Sequence, residues 1–427
     1  MTYPQTVDYL FTKLPMFSRI GAAAIKKDLT NTIKLCEALG NPQNTFKSVH
    51  IAGTNGKGST SHMLAAILQT AGYKTGLYTS PHLYDFRERI KVDGKMCEQD
   101  FVVDFVQRIQ HLIHEIEPSF FEITVAMAFD YFAQQKVDIA VVETGLGGRL
   151  DSTNIISPVL SVITNIGWDH MNLLGNTLEE IAFEKAGIIK EKVPVVIGET
   201  AENIQPIFAK QASLRSAPIV FADQKRYVDE WSFENDHIKI TVAEKNQKHT
   251  YKLDLGGIYQ TKNLLSVLEA IHQLQIHQWK IEPGHIDHAL QHVKKLTGLH
   301  GRWEVIQQHP KVVLDVAHNV DGVKQLAAQL EYTRYNKLHM VIGMVKDKEV
   351  DAVLHLLPKH ASYYFTKAQI PRALDEVSLQ EKAKAIGLKG NCFMDVDAAL
   401  NDALTHASTN DLILVCGSVF LVAEVKR

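Results

Sequence analysis

Lys57 stands between two glycines in the stretch Val49-His50-Ile51-Ala52-Gly53-Thr54-Asn55-Gly56-Lys57-Gly58-Ser59-Thr60. A lysine held by a glycine-rich turn suits the terminal phosphates of a nucleotide. Glycines let backbone N–H groups converge on an anion, and a helix starting there adds its partial positive charge. Ser59 or Thr60 can offer a hydroxyl to a magnesium ion. The stretch departs from the usual phosphate-loop pattern, because Ile51 occupies the first glycine position and Gly58 follows Lys57. The alternative is a glycine-rich turn with no ligand, which two glycines flanking a lysine directly after an apolar run disfavour.

Other groups fall at related places. Glu143 closes the apolar run 137–142. A carboxylate at the carboxyl end of a parallel strand lies where open α/β sheets bind ligands, and Glu143 can there reach a magnesium ion shared with phosphate. A buried structural glutamate is the alternative. His170 lies beyond a second apolar run, 159–164; a lone histidine is more often structural than a ligand. Arg87 and Arg89 alternate and either hold an anion or form a solvated, exposed charge cluster. Ser119 and Glu122 read as a helix cap and a first-turn carboxylate, while Phe120 and Phe121 would suit an aromatic ligand.

The elements that must position these groups alternate between strand and helix. Residues 46–52 read as a buried strand, followed by a helical pattern at Met63, Leu64, Ile67 and Leu68. Residues 1–45 form a helical lead-in. A short strand at 75–79 runs into a loop that Pro81 keeps irregular. Helices are expected at 98–116 and 121–135, strands at 137–142, 159–164 and 194–197, and a capped helix from Thr177-Leu178-Glu179-Glu180. Residues 218–254 alternate apolar and polar, predicting small antiparallel additions at the sheet edge. A long helix opens at 259–265. Gly298 and Gly301 mark a linker at 296–301, beyond which strands near 312–316, 338–342, 363–365 and 412–415 alternate with helices. The fold class is α/β: an N-terminal P-loop-type, mostly parallel sheet domain over 1–297 and a smaller Rossmann-like α/β domain over 298–427.

A chain of 427 residues suits two or three domains. The formal net charge of −3 gives no global attraction to nucleic acid or membrane. Four scattered cysteines form no C-x-x-C pair and fit a reducing cytoplasm. No run is long enough to span a bilayer and the N-terminus has no leader pattern. A cytoplasmic monomer acting on small molecules is expected, with neither nucleic acid nor membrane as partner.

The wording of several stretches resembles the folylpolyglutamate synthase/dihydrofolate synthase family, ATP-dependent ligases related to the Mur ligases. His-Ile-Ala-Gly-Thr-Asn-Gly-Lys-Gly-Ser at 50–59 is similar to its nucleotide loop, Thr-Ser-Pro-His-Leu at 79–83 and Glu-Arg-Ile at 88–90 to a loop closing over the active site, and Glu-Thr-Gly-Leu-Gly-Gly-Arg-Leu-Asp at 143–151 to a specific family signature. Gly301-Arg302, Leu314-Asp315-Val316-Ala317-His318-Asn319, Val345-Lys346-Asp347-Lys348 and Gly417-Ser418-Val419-Phe420 extend the likeness to the last strand. The resemblance implies that ATP binds between the two domains, held by 53–60 together with Asn263, Arg302, Asp315 and His318. It implies Ser80 and Glu143 on one Mg²⁺ and His170 on a second. Lys185 looks like a lysine that reacts with CO₂ to give an N6-carboxylate, which would join the metal ligands; unmodified, it would pair with phosphate or a carboxylate. Phe120, Phe121 and Glu122, with Leu150, Asp151 and Ser152, would line the pteridine or aminobenzoate pocket, and a pterin-contacting segment would fall near Arg19-Ile20-Gly21.

The implied activity adds L-glutamate to dihydropteroate, to reduced folates, or to both, through an acyl phosphate, with Lys57, Lys185 and His170 in catalysis. Two rivals differ in testable ways. A Mur ligase acting on a nucleotide-linked muropeptide needs an extra N-terminal domain, typically ~100 residues or more, whereas 52 residues precede Gly53. A switch-type nucleotide-binding protein would need the loop and the Mg²⁺ ligands but neither the Lys185 segment nor the Asp315 domain.

Overall fold

Five of the six residues of strand β1 (Lys47–Ala52) are buried, and it lies in the middle of its sheet. A short run buried on both faces is what a parallel strand inside a sheet requires; in β1 it includes the buried polar side chains Ser48 and His50, the latter paired with Thr153 Oγ1 at 2.8 Å. In the computed structural model, which describes residues 1–21, 26, 28–234, 237–346 and 349–426, the chain divides into two units. One comprises Met1–Asp254 with Gln260–Leu299, the other Leu255–Tyr259 with His300–Arg427.

The first unit holds β1, β2 (Thr75–Tyr78), β3 (Ile90–Val92), β4 (Lys95–Met96), β5 (Ile139–Glu143), β6 (Leu160–Ile163), β7 (Val195–Ile197) and β8 (Ile219–Phe221) in the order β4-β3-β2-β5-β1-β6-β7-β8. Strands β2 through β8 of that order run parallel, while β3 and β4 add an antiparallel hairpin. The chain passes from β1 to β2 and β5 on one side, then crosses to β6 on the other. The order therefore reverses around β1, the kind of switch point where α/β sheets bind ligands. Register brings the ends together: Ile51 pairs with Glu143, Ala52 with Ile163, and Tyr78 with Val142.

The 218–254 segment departs from expectation. Its first strand, β8, joins the main sheet in parallel, and the alternating part forms a separate three-stranded antiparallel sheet, β9 (Tyr227–Glu234), β10 (His237–Glu244) and β11 (Gln247–Leu253). The physical reason is one-sided burial. Ile238, Ile240 and Val242 are buried on β10, and the sheet packs on helices Gln260–Ile276 and Pro283–Leu290 rather than on the edge of the main sheet.

The second unit contains β12 (Glu304–Gln308), β13 (Lys311–Leu314), β14 (Leu338–Ile342), β15 (Ser362–Phe365), β16 (Lys389–Cys392) and β17 (Leu412–Cys416), ordered β12-β13-β17-β14-β15-β16. All are parallel except β12, which pairs antiparallel to β13. Asp347 and Lys348, two residues of a family-like stretch, lie outside the described residues. Among the described residues no helix is long and apolar enough to cross a membrane.

Candidate active site

The turn after β1 is held by the turn after β6. Thr54 N donates to Asn165 O (3.0 Å) and Asn55 N to the Asn165 side-chain oxygen (2.9 Å). Thr54 Oγ1 accepts from Gly167 N (2.9 Å), and Thr164 Oγ1 donates to Asn55 O (2.6 Å). Glycine is required at both bends. Gly53 has φ +151°, and a Cβ there would sit 1.9 Å from Thr164 Oγ1; Gly56 has φ +83°, and its Cβ would meet Asn263 Oδ1 at 2.2 Å. Helix Lys57–Thr70 starts directly after Gly56. Lys57 Nζ donates back to the Gly53 and Thr54 carbonyls (3.1 and 3.2 Å). Asn263 Nδ2 donates to Gln260 Oε1 (2.8 Å), and Gln260 Nε2 to the buried Ser59 hydroxyl (3.0 Å). The structure thus gathers Gly53, Thr54, Asn55, Gly56, Lys57, Gly58, Ser59, Thr60 and Asn263 into one constellation.

Lys185 reaches the same turn. Its Nζ donates to Gly53 O at 2.9 Å, and the side chain is 3% exposed. Burial, reinforced by the nearby Lys57 charge, pushes its amine down to about 7. Its helix, Leu178–Ala186, opens with the expected Thr177–Glu180 capping box. The helix is docked on the 145–151 loop: Arg149 N donates to Glu184 O (2.7 Å), Arg149 Nη2 pairs with Glu184 Oε1 (2.8 Å), and Cβ atoms at Gly148 or Gly187 would collide with the opposing backbone. The tight loop is therefore what sets the lysine's position.

Glu143 is buried at the end of β5, and its Oε2 accepts from Ser80 N at 3.3 Å. His170 has φ +50° and caps helix Met171–Leu174; its Nε2 lies 3.7 Å from Asp169 Oδ1. Among the described residues no three His, Cys, Asp or Glu side chains converge to hold a metal unaided. The donor set nevertheless fits a hard cation that keeps water and phosphate ligands. Glu143 and Ser80 are adjacent; among the described residues the buried hydroxyls of Thr60, in the first turn of the helix after Gly56, and of Thr144, next to Glu143 in sequence, bond to no protein group.

The expected pocket residues divide. Phe120 is a core side chain, stacked on Phe11 (centroids 5.3 Å apart) and edge-on to Phe86. Glu122 acts as the cap of its helix, Oε2 accepting from Ser119 N (2.6 Å) and Asn31 Nδ2 (3.3 Å). Phe121 is only partly buried and lies over Gly145, whose Cβ would meet the ring at 2.5 Å. The Asp151 carboxylate accepts from Leu146 N, Thr153 N and Thr153 Oγ1 (2.8, 3.0 and 2.6 Å), so it shapes the loop; burial raises its proton affinity. Leu150 and Ser152 are partly buried beside it. Arg19, in the expected pterin-contacting segment, donates to the Phe11 and Thr12 carbonyls (both 2.7 Å) and lies on the surface.

Arg87 and Arg89 are not an exposed cluster. Arg89 is 5% exposed, donates to His82 Nδ1 (2.7 Å) and sits 5.2 Å over the Phe120 ring; Arg87 pairs with Asp85 at 2.8 Å. Glu88 explains the burial. Its carboxylate collects the N–H groups of Leu83, Tyr84 and Asp85 and folds the loop inward.

In the second unit, Asp315 ends β13. Its carboxylate accepts from Tyr259 OH (2.8 Å), Trp303 N (2.9 Å) and Ala317 N (2.9 Å), and burial raises its proton affinity. Arg302 Nη1 donates to Gly301 O (3.2 Å), and His318 Nδ1 is 2.9 Å from Val316 O. These groups cluster at the carboxyl end of β13, close to Gly417, whose N donates to Ala317 O (3.0 Å).

Sequence reasoning missed Thr164, Asn165, Asp169 and Gln260. Thr164 and Asn165 carried a usable signal, being the polar pair directly after the strand Leu160–Ile163, the same signal that identified Glu143. Gln260 carried none, because its contact with Ser59 joins residues 201 positions apart.

The chain matches the Mur ligase middle domain over residues 51–271 and the Mur ligase glutamate ligase domain over 301–419. It is 34% identical to the dihydrofolate synthase/folylpolyglutamate synthase of Bacillus subtilis, covering 94% of this chain and 95% of that one. Among solved structures it is similar to Escherichia coli FolC in complex with DHPP and ADP (TM-score 0.85, 27% identity, 99% and 96% of the two chains). It is also similar to the bifunctional folylpolyglutamate synthase/dihydrofolate synthase of Yersinia pestis with AMPPNP and Mn ion (TM-score 0.84, 28% identity, 99% and 97%).

Proposed function

The chain belongs to the folylpolyglutamate synthase/dihydrofolate synthase branch of the Mur ligases, and we propose that it is an ATP-dependent ligase joining L-glutamate to dihydropteroate, to reduced folates, or to both. The single observation that carries the reading is the pair of amines, Lys57 and Lys185, on the carbonyl of Gly53. That carbonyl belongs to a phosphate-type turn beside a buried glutamate.

In the reaction, an acceptor carboxylate oxygen bonds to the γ-phosphorus and ADP leaves. The neutral amine of glutamate then attacks the acyl carbon, an amide forms, and phosphate departs with that oxygen. Lys57, released from its own loop carbonyls, places its charge on the transferring phosphate, and N–H groups of 53–60 fix the chain of phosphates. Arg302 offers a forked donor for phosphate, and Asp315 and Asn263 are assigned to the nucleoside. Phe121, beside Gly145, is the aromatic surface we assign to the acceptor, with Leu150 and Ser152 near it. A divalent cation, when bound, neutralises phosphate charge; Ser80 and Glu143 would hold one, and His170 with Lys185 a second.

Lys185 is suited to carboxylation because a nucleophilic amine must be neutral. The amine adds to CO₂, losing one proton and gaining a carboxylate. With its proton affinity lowered to about 7, half of this amine is neutral near pH 7. An exposed lysine stays almost wholly protonated there.

The experiment is isotopic. The acceptor is prepared with ¹⁸O in its carboxylate and turned over with MgATP and glutamate. One ¹⁸O in the released phosphate supports an acyl phosphate; unlabelled phosphate overturns it.

A further inference from the structure

The helix that precedes the passage from the first unit to the second, Val293–Thr297, is held at both ends by buried charges of opposite sign. At its start, Asp254 Oδ2 accepts from Lys294 N (2.9 Å). At its end, Lys91 Nζ donates to Thr297 O (2.7 Å) and Gly298 O (3.2 Å), and the lysine is 3% exposed. Carboxylate at the amino end and ammonium at the carboxyl end is the arrangement the helix dipole favours. Gly298 has φ +65°, and a Cβ there would crowd Lys91 Nζ at 3.2 Å, so the glycine makes room for the lysine.

The same turn is tied to the elements of the site. His62 Nδ1 lies 2.7 Å from Thr297 Oγ1, whose single proton goes to Val293 O, so the imidazole is the donor. Gln69 Nε2 donates to Leu296 O (3.0 Å). His62 and Gln69 belong to the helix that begins with Lys57. Lys91 lies on β3, which leads out of the loop bearing Ser80 and Arg89. Gly94, in the turn after β3, has φ +73° and packs so closely that a Cβ would sit 1.8 Å from Leu296 O. Residues 296–298 are thus pinned to both elements that carry phosphate and metal groups.

We propose that Lys91 is a positioning residue for the ligase reaction, fixing the root of the segment that delivers Arg302. Four residues of chain reach at most about 14 Å, so where Gly298 is pinned limits where Arg302 can go. The inference rests on the reading that Arg302 contacts ATP phosphate.

The test is a double-mutant cycle on the full chain, measuring kcat and KM for MgATP in Lys91→Met, Arg302→Ala and the double variant, with Lys91→Arg as the conservative replacement. Lys91→Met is expected to lower kcat/KM for ATP about 10- to 100-fold, Lys91→Arg to recover most of it, and Lys91→Met to cost less than about twofold once Arg302 is gone. A wild-type-like Lys91→Met, or losses that multiply in the double variant, overturns the inference while leaving the Arg302 reading standing. A wild-type-like Arg302→Ala overturns that reading instead. If Lys91→Met does not fold by circular dichroism, His62→Leu, which has no donor for Thr297 and so removes the neighbouring tie to the same turn, takes its place in the same cycle with the same two outcomes.

Discussion

Lys185 carries the sharpest prediction at the scale of single residues. An amine lowered to about 7 by burial is charged below that value and neutral above it, so carboxylation is favoured as pH rises through 7. Activity is expected to fall on the acid side with an apparent midpoint near 7, and added bicarbonate should raise the acid limb; a profile indifferent to bicarbonate would argue against the modification. The stability sign follows the same shift. The unfolded chain binds this proton up to the ordinary lysine range and the folded chain releases it near 7, so Lys185 makes stability rise with pH between the two. Lys185→Ala should lose activity, with millimolar acetate restoring part of it. Lys57→Ala should lower kcat about 10²- to 10³-fold at an unchanged melting temperature, and a kcat within a few-fold of wild type would remove its assigned role. That Gly53 and Glu143 stand at the carboxyl ends of strands, and Lys57 and His170 in the loops beyond them, was legible from the apolar runs that precede them. Glu122 and Asp151 bond to nearby backbone N–H groups, and the caps that absorb them are local patterns that a binding site can equally display.

Elements were read well where one periodicity dominated. The strand–turn–helix around Gly53 and the helices Gln99–Ile116 and Phe120–Gln135 appear as expected. The hairpin of β3 and β4 was not legible, since two strands of three and two residues are too short to show alternation. The 218–254 segment showed its alternation but not its neighbours. A buried face is a property of the strand, whereas the helices it packs on lie at 260–276 and 283–290, beyond any local signal. At this scale Phe120 provides a test. As a core ring between Phe11 and Phe86, Phe120→Ala should destabilise the first unit by about 3–5 kcal/mol, read as a lowered denaturation midpoint. A ring that served mainly to hold the acceptor would instead raise the acceptor KM at full stability. Gly53→Ala should disturb the turn after β1, because the added methyl meets Thr164 and the backbone is strained; weakened ATP binding with an intact fold is expected, and unchanged ATP binding would contradict the geometry.

At the scale of the whole molecule, each of the two α/β units places residues proposed for the reaction at the carboxyl ends of its parallel strands: Glu143 at the end of β5 in one and Asp315 directly after β13 in the other. The α/β class was legible from the alternation of strands and helices along the entire chain. The antiparallel strands within 218–254 were legible as well, but not that they form a sheet of their own, because the helices that cover it lie at 260–276 and 283–290. The most direct measurement is phosphate release from MgATP with L-glutamate, comparing dihydropteroate, tetrahydrofolate and no acceptor. Release is expected to require both glutamate and a pteroate-type acceptor; release with both acceptors would establish a bifunctional enzyme, and with tetrahydrofolate alone a polyglutamylating one. Release independent of any acceptor, or none from protein that still binds ATP, would contradict it.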